Sequence, residues 1–259
     1  AHELGFHPEH RPMGAAVTAR VLRSPNHNQR QRPISALILH YTGMPTADGA
    51  LAQLCDPRAE VSAHYFVFED GRIVQLVPEE RRAWHAGRSS WFEQTDMNSA
   101  SIGIEIVNPG HEFGYRPFPE PQVVAVIALC QAIVARRKIP ARNVVAHSDI
   151  APDRKEDPGE LFPWARLAEA GIGLWPGPAP DAAQTLPEIG PGSEGPMVDA
   201  LRRGLSAIGY RIGTAGGYNR PLAQVITAFQ RHWAPHRTDG IADGETRWRI
   251  GRVGGLAQG

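Results

Sequence analysis

The sequence predicts an α/β (α+β) protein in which a mixed central β-sheet flanked by helices is followed by a small three-helix C-terminal module. Three observations carry this. One nearly continuous apolar run, Ile34–His40, has the character of a strand buried on both faces, and Ser101–Val107 reads as another strand. Segments of helical period interleave with the strand segments, as helices covering a mixed sheet would. Beyond Trp175 proline dominates first, and then helical periodicity alone continues to the end.

At 259 residues the chain can hold one large or two smaller domains. Composition divides it into an irregular lead-in (1–32), a sheet-containing unit (33–175), a proline-rich linker (176–193) and the helical module (194–259). Because 27 basic residues balance 27 acidic ones, no general attraction to nucleic acid or to an anionic membrane is expected. No run approaches the roughly 20 apolar residues of a membrane span. The first ten residues, with His2, Glu3, His7, Glu9 and His10, lack the apolar centre of a signal segment. A monomeric cytoplasmic protein is therefore expected, or a periplasmic one if a signal segment has been removed. Cys55 and Cys130 lie in apolar helical segments and read as buried free thiols.

In chain order, Arg20–Arg32 is polar and turn-prone. The strand Ile34–His40 runs straight into His40-Tyr41-Thr42-Gly43, a strand end meeting a glycine loop, where side chains are held rigidly yet face solvent. Gly49–Leu54 is a short helix stopped by Pro57. Val61–Val77 reads as a hairpin, Ala63–Phe68 and Arg72–Val77 around Asp70-Gly71. The loop Arg82–Gly87 gathers Trp84 and His85. Within Ser101–Val107, Glu105 lies between two isoleucines, a carboxylate costly to bury without a partner. Glu120–Lys138 is the clearest helix, with Val123, Ile127, Cys130 and Val134 on one face and Arg136, Arg137 and Lys138 at the end where cations suit the dipole. A short strand, Asn143–Ala146, delivers His147, and Leu161–Gly171 forms a further helix. In the tail, Met197, Leu201, Leu205 and Ile208 make one apolar face closed by Gly209-Tyr210. Leu222, Val225, Ile226, Phe229 and Trp233 make a second, and Thr246–Ile250 suggests a short third helix.

The stretch His147–Gly159 carries the densest chemistry. It holds an imidazole, Lys155 and Asp157 on a segment interrupted by Pro152 and Pro158, so side chains converge rather than radiate as from a regular helix. His40 and His147 both end apolar strands, and one sheet edge could bring them together. With Asp157 they offer two imidazoles and a carboxylate with one coordination position left open, the donor set of a catalytic zinc. Taken singly, His40 reads better as a satisfied strand-end histidine. Glu105 could take a proton from water and return it to a departing amine, while Lys155 could stabilise an oxyanion; together these are the parts of amide hydrolysis. Singly, they read as a structural ion pair and a solvated loop charge.

Taken together, five motifs resemble those of the zinc-dependent N-acetylmuramoyl-L-alanine amidases (amidase type 2). They are His40-Tyr41-Thr42, Val61-Ser62-Ala63-His64-Tyr65, Trp84-His85-Ala86-Gly87, Asn98–Glu105 ending Ser-Ile-Gly-Ile-Glu, and His147-Ser148-Asp149-Ile150-Ala151-Pro152-x-Arg154-Lys155-x-Asp157-Pro158-Gly159. The likeness, to bacterial enzymes of the AmpD and AmiD type above all, spans roughly Pro33 to Trp175; phage amidases and animal peptidoglycan recognition proteins are relatives. It implies Zn2+ held by His40, His147 and Asp157, with Glu105 and Lys155 as the catalytic pair. The bond it implies joins the lactyl group of N-acetylmuramic acid, or its 1,6-anhydro form, to L-alanine of the stem peptide, in peptidoglycan or in soluble anhydromuropeptides. It also places His64, Trp84, His85 and Asn98 in motifs that line the substrate groove, where packing beneath the groove is as good a reading as contact.

The tail, through Leu201–Tyr210, Ala228-Phe229-Gln230 and Asp239–Thr246, resembles the peptidoglycan-binding modules fused to cell-wall hydrolases. Its plainer reading is a helical domain that packs on the catalytic one. A non-catalytic recognition protein would lack a ligand or the Glu105/Lys155 pair, whereas a zinc peptidase acting elsewhere on the stem peptide would keep them. Deletion of the residues after Trp175 is expected to leave hydrolysis of small soluble muropeptides intact.

Overall fold

The computed structural model describes residues 17–259. Six strands build the central sheet: β1 (Arg20–Val21), β3 (Ala36–Tyr41), β4 (Tyr65–Val67), β5 (Ile73–Gln75), β7 (Ser101–Ile106) and β8 (Val144–Ala146). Their order is β1-β5-β4-β7-β3-β8, with β4, β7, β3 and β8 parallel and β5 antiparallel to β4. β2 (His27–Gln29) and β6 (Arg81–Ala83) pair as a separate antiparallel ribbon. Two apolar faces make the central strands read as continuous runs. Leu37 and Leu39 of β3, with Ile102, Ile104 and Ile106 of β7, meet helix α3 (Glu120–Arg137). Ala36, Ile38 and Val145 face the opposite side and pack with the tail. Side chains alternate along a strand, so His40 continues the Ala36–Ile38 face, and its register partner Glu105 points the same way.

The remaining helices are α1 (Ala47–Cys55), α2 (Met97–Ala100), α4 (His147–Ile150), α5 (Trp164–Glu169), α6 (Pro196–Ile208), α7 (Arg220–Trp233) and α8 (Gly244–Gln258). α1 starts where Thr46 Oγ1 accepts the Gly49 amide and packs over Phe66, Val74 and Leu76. The predicted hairpin forms with Tyr65 opposite Gln75 and Val67 opposite Ile73. Among the described residues no helix is long and apolar enough to cross a membrane.

Several expectations are corrected. The part of the predicted lead-in before residue 17 lies outside the described residues, but Arg20–Arg32 is not irregular: β1 adds a parallel edge to β5, and β2 pairs with β6. Arg30 donates to the carbonyls of Glu79, Ser99 and Ser101 at 2.8, 2.5 and 2.9 Å. Backbone pairing of polar residues leaves no hydrophobic period to detect. The buried face of α3 is Val123, Val126, Leu129, Cys130 and Ile133, with Ile127 and Val134 half-buried. It also buries Gln122, whose amide donates to the carbonyls of Val67 and Val107. α5 is shorter than expected because Pro163 starts it. In α6, Pro196 occupies the first turn, Met197 is 49% exposed and Val198 takes its place in the core.

The third tail helix is a full 15 residues, hidden by Gly251, Gly254 and Gly255, poor helix formers without side chains to show a period. At its contact with α6, a Cβ on Gly204 would lie 2.7 Å from Ile250 Cγ2. The supposed linker is also partly folded: Asp181–Thr185 is a 3₁₀ turn, and the Ile189 and Ala242 backbones pair. Buried Gln230 closes the Asp239–Gly244 turn, accepting from the Gly240 amide and donating to the Ile241 carbonyl.

The tail and the sheet unit share one core. Ala86, Trp91, Met97 and Ile150 are buried in the same cluster as Leu205, Ile208, Phe229 and Trp233. Gly209 (φ 135°) lies so close to Trp91 that a Cβ would come within 2.5 Å of its ring, and its carbonyl accepts the Phe92 amide at 2.7 Å. Each large side chain in such a core contributes about 1.5–3 kcal/mol. Removal of the tail would uncover that apolar face.

Candidate active site

Parallel strands in α/β folds present ligand-binding groups beyond their C-terminal ends, and the candidate residues gather there. His40 is the penultimate residue of β3, paired with Glu105 of β7, while Leu39 pairs with Ala146, so His147 emerges beside His40. Asp157 returns from the loop after α4. His40 Nδ1 stands 2.9 Å from His147 Nδ1 and 3.2 Å from Asp157 Oδ2, and His147 Nδ1 is 3.1 Å from that oxygen. All three side chains are buried.

Hydrogen-bond logic assigns the protons. The Met97 carbonyl can only accept, so Ser101 Oγ donates to it, at 2.5 Å, and accepts from His85 Nε2 at 3.2 Å. His85 Nδ1 is then the acceptor for His40 Nε2 at 2.9 Å, which leaves a lone pair on His40 Nδ1. His147 Nε2 donates to the Ala86 carbonyl at 3.1 Å, leaving its Nδ1 unprotonated as well. Two lone pairs and a carboxylate oxygen therefore converge with no proton between them, an arrangement a cation satisfies. Ligands about 2.0–2.2 Å from a tetrahedral ion stand roughly 3.4 Å apart, close to the spacing seen. The donor set fits zinc.

Charge agrees with that fit. Burial, and then the neighbouring His147, hold His40 down to about 4, so it is neutral at pH 7. Burial alone would raise Asp157; protons on His147 and His40 would hold its carboxyl well below the usual range, and a cation among the three supplies the same positive charge when the imidazoles are neutral. Glu105 moves the other way: burial, followed by the Asp157 charge, pushes it well above the ordinary carboxylate range, against the pull of Lys155. Its Oε1 is 4.0 Å from His40 Nδ1, and its Oε2 is buried without a hydrogen-bond partner among the described residues. An unsatisfied buried acceptor is costly and marks where water or substrate would bind.

Glu105 and Thr42 line two hollows, the first of which also touches His147 and Asp157. One, of about 340 Å³, runs along Tyr41, His111, Glu112, Lys155 and Glu156; the other, of about 160 Å³, along Met44, Gln53, Trp84 and His85. A larger apolar hollow of about 510 Å³ over β5 has no carboxylate, imidazole or thiol in its lining. Lys155 is half-buried on the groove wall. Trp84 is also half-buried there, its indole N–H bound to Asn28.

The other groove residues take different places. His64 is fully buried: its Nδ1 accepts the Gly103 amide, so Nε2 donates to the Arg81 carbonyl, and neither nitrogen is free for substrate. Packing replaces contact at this position. His85, 8% exposed, lies behind His40 as its orienting partner. Asn98 Oδ1 accepts the amides of His85 and Ala86 at 2.9 and 2.7 Å, fixing the loop that carries them.

Ser101, Asp149 and Arg154 stand inside the motifs without a role assigned to them, and His111 lies outside the motifs. Arg154 donates to the Ala86 and Arg88 carbonyls, and His111 bridges Tyr41 and Glu160. For Ser101 a signal existed, since it shares the Gly103 and Glu105 face two and four residues away. The others act through contacts that spacing does not encode.

A family model described as N-acetylmuramoyl-L-alanine amidase matches residues 30–160. The N-acetylmuramoyl-L-alanine amidase AmiD of Escherichia coli K12 is 41% identical over 228 residues, 83% of this chain and 80% of that protein. The structure of E. coli AmiD with the substrate anhydro-N-acetylmuramic acid-L-Ala-D-γ-Glu-L-Lys superposes with a TM-score of 0.71 at 38% identity, covering 87% of this chain and 91% of that one. AmpDh3 of Pseudomonas aeruginosa gives a TM-score of 0.73 at 30% identity, over 97% and 100% of the two chains. The 1,6-anhydro-N-acetylmuramyl-L-alanine amidase AmpD of Enterobacter cloacae is 34% identical over 174 residues, 60% of this chain and 90% of that protein.

Proposed function

The chain belongs to the N-acetylmuramoyl-L-alanine amidase family, and from that premise we propose that it is a zinc enzyme with His40, His147 and Asp157 as ligands and Glu105 and Lys155 as the catalytic pair. The amide cleaved joins N-acetylmuramic acid, including its 1,6-anhydro form, to L-alanine of the stem peptide, in the recycling or turnover of peptidoglycan fragments. The observation that carries the zinc reading is the convergence of three proton-free donor atoms beneath a groove that Glu105 shares. Zinc bound there supplies Lewis acidity, polarising an amide carbonyl and making water a better nucleophile near neutral pH.

The chain's own groups do the rest. Glu105, with Oε1 4.0 Å from His40 Nδ1 and Oε2 unpartnered, accepts the proton of the attacking water and returns it to the alanine nitrogen as the C–N bond breaks. The products are a muramoyl carboxylate and a free peptide amine. Lys155, on the groove wall, offers a positive charge to the oxyanion formed on attack. In this reading Trp84, which lines one of the hollows, contacts substrate, while His85 and Asn98 support the groove from beneath.

Substrate size and compartment belong to the same proposal. Soluble anhydromuropeptides handled in the cytoplasm by a monomeric enzyme are the first reading. The helical module at residues 194–259, as a peptidoglycan-binding-like unit, favours polymeric wall outside the membrane as the second. Mass spectrometry of products from intact sacculi and from soluble anhydromuropeptides, assayed side by side, separates them. Chelation should stop release of the stem peptide and zinc should restore it. Activity that survives thorough zinc removal would overturn the mechanism.

A further inference from the structure

We propose that the helical tail holds the metal-ligating turn in place: Tyr210 and His232 are positioning residues for His147, acting through Asp149. The inference rests on the zinc reading above. α4 is a single helical turn whose first residue is His147 and whose third is Asp149. The Asp149 carboxylate is 1% exposed and makes no ion pair with lysine or arginine among the described residues. Its Oδ2 accepts the Ala146 amide at 2.8 Å, closing the turn immediately before the ligand, and also accepts from His232 Nδ1 at 2.6 Å. Its Oδ1 accepts from the Tyr210 hydroxyl. Both side-chain donors thus come from the tail, 83 and 61 residues away.

The two donors are themselves held firmly. The His232 ring is stacked between Trp164 and Trp233, with centroids 3.7 and 3.5 Å away. Tyr210 meets the edge of Trp91 at 5.1 Å, next to the Gly209 contact that locks the Trp91 loop. Arg231, adjacent to His232 on α7, stands 3.6 Å from Glu156 and 3.8 Å from Glu160, on either side of the ligand Asp157. One tail helix therefore touches the ligand-bearing segment at both ends. A simple anchor between two packed units would not need a carboxylate that also caps the backbone of the ligand's own turn. Loss of either donor leaves a buried carboxylate under-satisfied, and the turn that aims His147 relaxes with it.

The test uses the full chain. Tyr210→Phe removes one oxygen and opens no cavity; His232→Phe keeps the ring stack and removes the donor; His232→Asn restores a donor near the Nδ1 position. Val253→Ala, at a buried position of α8, a helix that supplies none of Asp149's partners, is the stability control. Zinc affinity is measured by competition with a chromophoric chelator, thermal midpoints with chelator present, and kcat and KM on a soluble anhydromuramoyl-peptide at saturating zinc. Tyr210→Phe and His232→Phe should each weaken zinc binding by roughly 10- to 100-fold with KM unchanged, and His232→Asn should recover most of the loss. Val253→Ala should lower the midpoint and leave zinc affinity alone. Zinc affinity equal to wild type in folded Tyr210→Phe, or an equal loss in Val253→Ala, overturns the inference. Should His232→Phe not fold, Tyr210→Phe decides it. Wild-type protein that takes up no zinc overturns the zinc reading itself, a result distinct from variants that merely match a zinc-binding wild type.

Discussion

Gly103 has no room for a side chain: a Cβ would lie 2.5 Å from His85 Cγ. The imidazole that orients His40 rests directly on it, which explains a glycine inside an otherwise apolar strand. Ser101, at the far end of that relay, fixes the tautomer. Ser101→Ala should leave the fold intact but lower zinc affinity by about 10- to 100-fold, as read by chelator competition; unchanged affinity would show that His85 needs no such partner. Glu105→Ala should reduce turnover by about 10²- to 10⁴-fold while metal analysis still finds zinc bound. Loss of metal in that variant would recast Glu105 as a ligand. His40, Glu105, His147 and Asp157 were legible because their motifs sit at strand ends or on a strongly punctuated loop. The roles of Ser101, His85 and Asn98 were not, because the direction of a hydrogen bond between neutral groups leaves no trace in spacing.

The helix α3 carries a charge device on the far side of the sheet. Arg136 and Arg137 in its last turn bind Glu79, which also accepts from Tyr65. Burial alone would raise the Glu79 carboxyl, but these donors bring it down to about 2 from an unfolded value near 4.5. A depressed carboxylate stabilises the fold fully above its unfolded pKa, and that contribution fades as pH falls from about 4.5 towards 2. Glu79→Gln should therefore flatten this part of the acid-unfolding profile, as followed by urea midpoints between pH 6 and 3. A variant whose midpoint falls as steeply as wild type would place the acid sensitivity elsewhere. At this scale α1, α3, β3 and β7 were readable from apolar period and caps. β1 and β2 were hidden because polar edge strands pair through backbone alone, and α8 because its glycines erase the period.

The whole molecule behaves as a sheet unit completed by its tail rather than joined to it by a free linker. Truncation after Trp175 would uncover the face of Ile38, Val145 and Ile150 and strip two donors from Asp149. The truncated chain should lose soluble yield and zinc together, as judged by size-exclusion chromatography and metal analysis; a soluble, zinc-loaded and active fragment would show that the units are independent. By itself the sequence determined the strand and helix alternation, the five motifs and, through them, the chemistry, because short-range pattern and residue type suffice for each. Only the tertiary structure decided which protons the His40 and His147 imidazoles carry, that His64 is buried with both ring nitrogens engaged, and that Tyr210 and His232 of the tail donate to Asp149 in the turn that begins at His147. Those outcomes depend on hydrogen bonds and core contacts between residues far apart in the chain, whose pairing is fixed when the chain folds and not by any local period.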